Sequence, residues 1–164
     1  MRNVGLNYEK MRQIVLSQSY SKVFIVEEDM VLPDDALEKI LAVDAPIVTG
    51  LYALRHGTPT SNIFRYEERV RSLGNNMKWD EVKRNWGKTI RVTGGAMGCL
   101  LVDRSALLDF NFEIKEQGAP DIPFMVHCAT NNIKTVARMD VVCGHINANG
   151  TTLYPDRDKG WVLV

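Results

Sequence analysis

The chain has 164 residues, 45% hydrophobic and 24% charged, and its 20 basic and 20 acidic residues cancel to a formal net charge of zero. That length and composition fit one globular domain with a sizeable core, and the charge balance lacks the basic excess that would make nucleic acid a main partner. No apolar run approaches the ~20 residues of a membrane span, and residues 1–20 hold no signal-peptide apolar region, so only a peripheral membrane association stays open.

Cys99, Cys128 and Cys143 are odd in number and lack metal-type spacing. They read as small buried residues in a reducing cytosol, which makes a cytoplasmic location the expectation. Residues 1–20 are predicted to form a short lead and a helix with Tyr8, Met11, Ile14 and Val15 along one stripe, closed by Ser17-Gln18-Ser19. Val23 to Val26 then reads as a buried strand. It stops at Glu27, Glu28 and Asp29. Side-chain alternation along a strand would point Glu27 and Asp29 the same way and Glu28 the other. Two converging carboxylates repel unless a cation lies between them, and hard oxygen ligands suit Mg²⁺ or Mn²⁺. Taken alone, the triplet reads first as a solvated acidic turn leading into a helix N-cap.

Pro33, Asp34 and Asp35 suit a first helical turn, with Ala36, Leu37, Ile40 and Leu41 as the buried face. Asp44-Ala45-Pro46 breaks that helix before a strand over residues 47–52, which completes an expected βαβ unit. From Arg55 to Lys88 the pattern is irregular, polar and rich in aromatics, as in a substrate loop, with one helical turn over 78–84. Two strand pieces, 90–93 and 99–102, flank Gly94-Gly95-Ala96-Met97-Gly98, whose glycines would let backbone approach a ligand or simply form a tight corner. A short helix starts at Ser105. Asp121 suits the N-cap of a helix over 122–131, a strand covers 133–137, and residues 140–146 form a short apolar strand or loop ending on His145. Residues 147–164 read as a charged, loop-like tail.

Taken in order, four stretches resemble a GT-A fold nucleotide-sugar glycosyltransferase of the family-2-like group: Arg2-Asn3-Val4-Gly5, VEEDMVLPDDALEKIL, VTGGAMGCLLVDRSAL, and PDIPFMVHCATNNIKTVARMDVVCGHI. The resemblance implies a Rossmann-like, mainly parallel sheet flanked by helices. It implies a divalent ion, Mn²⁺ or Mg²⁺, on Glu27, Asp29 and His145, and Asp121 as catalytic base. Donor contacts would come from Arg2, Asn3, Gly94 and Gly95. The partners it implies are a nucleoside-diphosphate sugar and a glycan, lipid or protein acceptor. Three departures stand out. Glutamate replaces the commoner aspartate at position 27, Pro120 stands where the family carries glutamate, and the family's nucleotide-binding strands would lie before residue 1. The resemblance then implies an N-terminally truncated fragment, or a reduced domain that binds nucleotide differently. A sheet edge left bare would be exposed or paired in a homo-oligomer. A non-catalytic binding module is the alternative reading.

Overall fold

The computed structural model describes residues 4–55, 58–66, 73–112 and 119–164. Helix α1 (Val4–Ser17) leads through Ser19, a residue at φ 59°, into β1 (Lys22–Val26), followed by β2 (Met30–Val31) and α2 (Ala36–Leu41). Then come β3 (Ile47–Leu51), β4 (Ala53–Leu54), β5 (Thr60–Ser61), β6 (Ile63–Phe64) and α3 (Trp79–Asn85). β7 (Thr89–Val92), β8 (Gly94–Gly95), β9 (Cys99–Asp103) and α4 (Arg104–Leu107) form the third quarter. The chain ends with α5 (Asp121–Thr130), β10 (Thr135–Val142), β11 (Gly144–Ile146), β12 (Thr152–Asp156) and β13 (Gly160–Leu163).

The main sheet has the order β1-β9-β3-β10-β7, and a second has the order β13-β12-β11-β2. β9 is antiparallel to both β1 and β3, β7 is antiparallel to β10, and among the described residues only β10 and β3 pair in parallel. This corrects the GT-A-like, Rossmann-like expectation of a mainly parallel sheet. β1 and β3 do run in the same direction, but β9 lies between them, so the expected βαβ unit skips a strand. The error is physical. Strand–helix–strand spacing fixes relative direction, while adjacency depends on the later, apolar Cys99–Asp103 segment, which fills the gap between them. The strand pieces on either side of the glycine turn, β7 and β9, are separated in the sheet by β10 and β3.

Alternation along the central strands divides the core. Ile25, Ile47, Leu100 and Val102 pack with Val15 of α1, Leu107 of α4, and Phe124, Met125 and Cys128 of α5. Val48, Cys99, Leu101 and Val136 pack on the other side with Ala36 and Ile40 of α2. All five residues of β3 are buried, as befits the centre of a sheet covered on both faces, each large apolar side chain there contributing about 1.5–3 kcal/mol by leaving water. Helix α2 is narrower than its sequence suggested: Ile40 is 0% exposed, whereas Leu37 and Leu41 are 46% and 49% exposed. Residues 147–164 also depart from the loop-like reading, because β12 and β13 form an antiparallel hairpin there. Among the described residues no helix is long and apolar enough to cross a membrane.

Candidate functional site

β1, β3 and β10 share a direction, so their C-terminal ends reach one rim of the main sheet. β9 begins at that rim, immediately after Gly98. Beyond Val26 the chain leaves the sheet: the Glu27 amide donates to the Gly98 carbonyl at 3.2 Å, and Met30 donates to the Glu27 carbonyl at 3.1 Å. Residues 27–29 are therefore a turn, and turn geometry rather than strand alternation sets where their carboxylates point. Next, β2 pairs with β11 in the register His145↔Met30, and the Ile146 amide donates to the Asp29 carbonyl at 2.8 Å. That register is what delivers His145 to Asp29.

His145 Nε2 lies 3.4 Å from Asp29 Oδ2, and its Nδ1 lies 2.7 Å from the Ala53 carbonyl. A carbonyl only accepts, so Nδ1 carries a hydrogen and Nε2 is the ring nitrogen that faces Asp29. The same Oδ2 accepts from Arg55 Nη2, while Arg55 Nη1 donates to the Ile146 carbonyl. The positive charge that a carboxylate in this position needs is thus supplied by a guanidinium.

Glu27 turns elsewhere, its Oε1 accepting from the Tyr8 hydroxyl at 3.0 Å. Burial raises the Glu27 pKa above the ordinary carboxylate value; the Tyr8 hydrogen bond opposes this, the charges of Asp29 and Asp121 add to it, and His145 opposes it weakly. The Tyr8 phenol is pushed up as well, first by burial and then by Glu27. Asp121 is the first residue of α5, with Pro120 in the cap position and no side-chain cap bond. Its expected capping role is replaced by a bond from the Ile122 amide to Oδ1 at 2.9 Å, and burial raises its pKa. The fold thus brings Asp29 and His145 into contact, with Glu27 on the same turn as Asp29, while Asp121 influences Glu27 only through its charge.

Gly94 and Gly95 serve packing. A Cβ on Gly95 would lie 2.7 Å from Thr49 Cγ2, and one on Gly94 would lie 3.0 Å from Met125 Cβ. The glycine that borders the rim is Gly98, where a Cβ would stand 2.8 Å from the Tyr52 ring and hydroxyl. Its amide donates to Tyr52 Oη at 2.8 Å, and the Tyr52 ring meets the His145 ring edge-on at 5.6 Å. Arg2 and Asn3 lie outside the described residues. Tyr8, Tyr52 and Arg55 escaped the sequence reading: Tyr8 fitted a helical stripe, Tyr52 ended an apolar strand, and Arg55 opened an aperiodic stretch.

Two atoms that bind one ion at about 2.0–2.1 Å, at octahedral to tetrahedral angles, stand about 3.0–3.4 Å apart. Asp29 Oδ2 and His145 Nε2 have that spacing. No three His, Cys, Asp or Glu side chains among the described residues are grouped to hold a single ion. Mg²⁺, however, is commonly held by one or two carboxylates together with substrate phosphates and water. Asp29 would supply the carboxylate of such an arrangement and His145 a nitrogen donor 3.4 Å from it, whereas Glu27 turns to Tyr8.

No family model matches the chain, and no curated protein matches it either. Among solved structures the chain is similar to A197 from STIV, a viral protein, with a TM-score of 0.62 and 18% identity over 99% of this chain and 76% of that one. This likeness establishes a shared fold alone, the mostly antiparallel one described above. It corrects the resemblance to a GT-A fold, family-2-like glycosyltransferase: the short motifs that carried it occur in a chain whose sheets and structural likeness do not place it in that family.

Proposed function

We propose that the rim formed by Glu27, Asp29, Asp121 and His145 is the active site of a metal-assisted transferase, which moves a sugar from a nucleoside-diphosphate donor to an acceptor hydroxyl. The observation that carries this reading is the division of labour within the cluster. Asp29 and His145 are spaced to hold Mg²⁺ or Mn²⁺ together with phosphate oxygens. Asp121 stands apart from them, on α5, with its pKa raised by burial. A carboxylate displaced toward neutrality is a better base for a hydroxyl than an ordinary one, because proton transfer is most efficient when the base titrates near the working pH. The ion would supply Lewis-acid stabilisation of charge on the departing diphosphate. Tyr8 holds Glu27 in place, and Tyr52 braces both Gly98 and the His145 ring.

A non-catalytic binding module is the second reading, favoured by the Arg55–Asp29 ion pair and the Tyr8–Glu27 hydrogen bond, which satisfy both carboxylates without an ion. Titration calorimetry with Mn²⁺ and a panel of nucleoside diphosphates separates the two. Transfer predicts metal-enhanced nucleotide binding that disappears in Asp29→Ala; nucleotide binding indifferent to metal, or none at all, leaves only the second reading.

A further inference from the structure

The geometry points to Arg55 as a resident counter-cation that a divalent ion displaces from Asp29, after which its guanidinium receives the donor's diphosphate; this rests on the function proposed above. Three contacts carry the inference. Arg55 Nη2 binds Asp29 Oδ2, the same oxygen that stands 3.4 Å from His145 Nε2. Arg55 Nη1 binds the Ile146 carbonyl, next to His145 on β11. His145 Nδ1 is fixed by Ala53, two residues before Arg55. Arg55 therefore sits at the mouth of the Asp29–His145 pair and is tied to both flanks of it.

An ion between Oδ2 and Nε2 would stand within a few ångströms of the guanidinium, and like charges at that range repel strongly in a partly buried setting. Metal entry and the Arg55–Asp29 pair thus compete for one oxygen. A guanidinium freed there has its planar fork a side chain's reach from an ion-bound diphosphate, and that fork matches phosphate oxygens in a way a point charge does not. Before donor arrives Arg55 keeps Asp29 neutralised and the two strand ends joined; afterwards it becomes a donor-positioning residue.

The test compares wild type, Arg55→Gln and Arg55→Lys by calorimetry, first with Mn²⁺ alone and then with inorganic pyrophosphate at saturating Mn²⁺. Arg55→Gln is expected to bind Mn²⁺ about 5-fold tighter, the upper end for a part-exposed ion pair, and to bind pyrophosphate about 10-fold or more weakly, as for a lost charged hydrogen bond. Arg55→Lys, which keeps the charge without the fork, is expected to match wild type for Mn²⁺ yet lose pyrophosphate affinity. Circular dichroism checks that each variant is folded. If wild type binds Mn²⁺ and Arg55→Gln binds it no tighter, the counter-cation role is overturned and the proposed function stands. If neither wild type nor Arg55→Gln binds Mn²⁺, both fail together.

Discussion

The Tyr8 hydroxyl donates to Glu27 Oε1 at 3.0 Å, so helix α1 places a polar atom on the turn after β1. Burial already disfavours the Glu27 charge, and this bond is the strongest influence offsetting that. Tyr8→Phe removes the donor and keeps the ring. The expected result is a loss of about 1 kcal/mol at neutral pH, within the range for a bond to a charged group that is partly solvated. The loss should shrink below the ordinary Glu27 value of 4.5, where the carboxyl holds its own proton and needs the hydroxyl less. Urea melts of both proteins at pH 7 and pH 4 check this; an equal cost at the two pH values would show that the ring contact, and not the hydroxyl, matters.

Much of the element content was legible because it rests on local physics. The β-branched run at 23–26, the break at Asp44-Ala45-Pro46, the helix expected over 122–131 and the helical turn after Lys78 all appear close to where the sequence put them. Sheet order was not legible, since nothing local to β1 or β3 reveals that β9 will separate them. The site was half legible. Acids at a strand end and a terminal histidine mark themselves by interrupting apolar runs, and the fold does gather them. What joins them, the register His145↔Met30 and the guanidinium of Arg55, depends on contacts between distant segments. The burial that raises Asp121 arises the same way. Gly94 and Gly95 illustrate the converse, since a glycine required by a neighbour's methyl group looks in sequence like one required by a ligand.

That requirement is testable at Gly95, where an added Cβ would meet Thr49 Cγ2 at 2.7 Å and Oγ1 at 2.8 Å. Thr49 is on the buried strand β3 and cannot retreat. Gly95→Ala should destabilise by about 1–3 kcal/mol, the usual cost of overpacking a dense core. Thr49→Ala removes both clashing atoms, so the double variant should recover part of the loss. A double-mutant cycle from denaturant midpoints measures the coupling; strictly additive costs would mean that the crowding at Gly95 lies elsewhere.

Helix α2 offers a sharper contrast. Ile40 is fully buried among Val48, Leu101 and Val136 on one face of the main sheet, so Ile40→Ala should cost about 2–5 kcal/mol in lost burial and cavity. Leu37, one turn earlier on the exposed side, should cost within about 0.5 kcal/mol when cut to alanine. Thermal melts of the two variants decide the matter. Comparable losses would mean that Leu37 is buried in solution, contrary to its 46% exposure.

Asp121 gives the pH prediction, and its sign follows from proton binding. Its native pKa is raised above the ordinary 3.8 by burial, so between 3.8 and the raised value the folded protein holds a proton that the unfolded chain has released. Over that window stability falls as pH rises, and above it the penalty persists in full. Asp121→Asn cannot titrate, and it also removes a charge that pushes Glu27 upward. The variant should therefore gain on wild type as pH rises through the window and be the more stable protein at neutral pH, while still binding Mn²⁺ and losing transfer. Melting temperatures of the pair from about pH 3 to 8 test the first half, and calorimetry with a transfer assay tests the second. A constant difference in melting temperature across that range would mean that Asp121 is as well solvated in the native state as in the unfolded chain, and the case for it as a base would go with it.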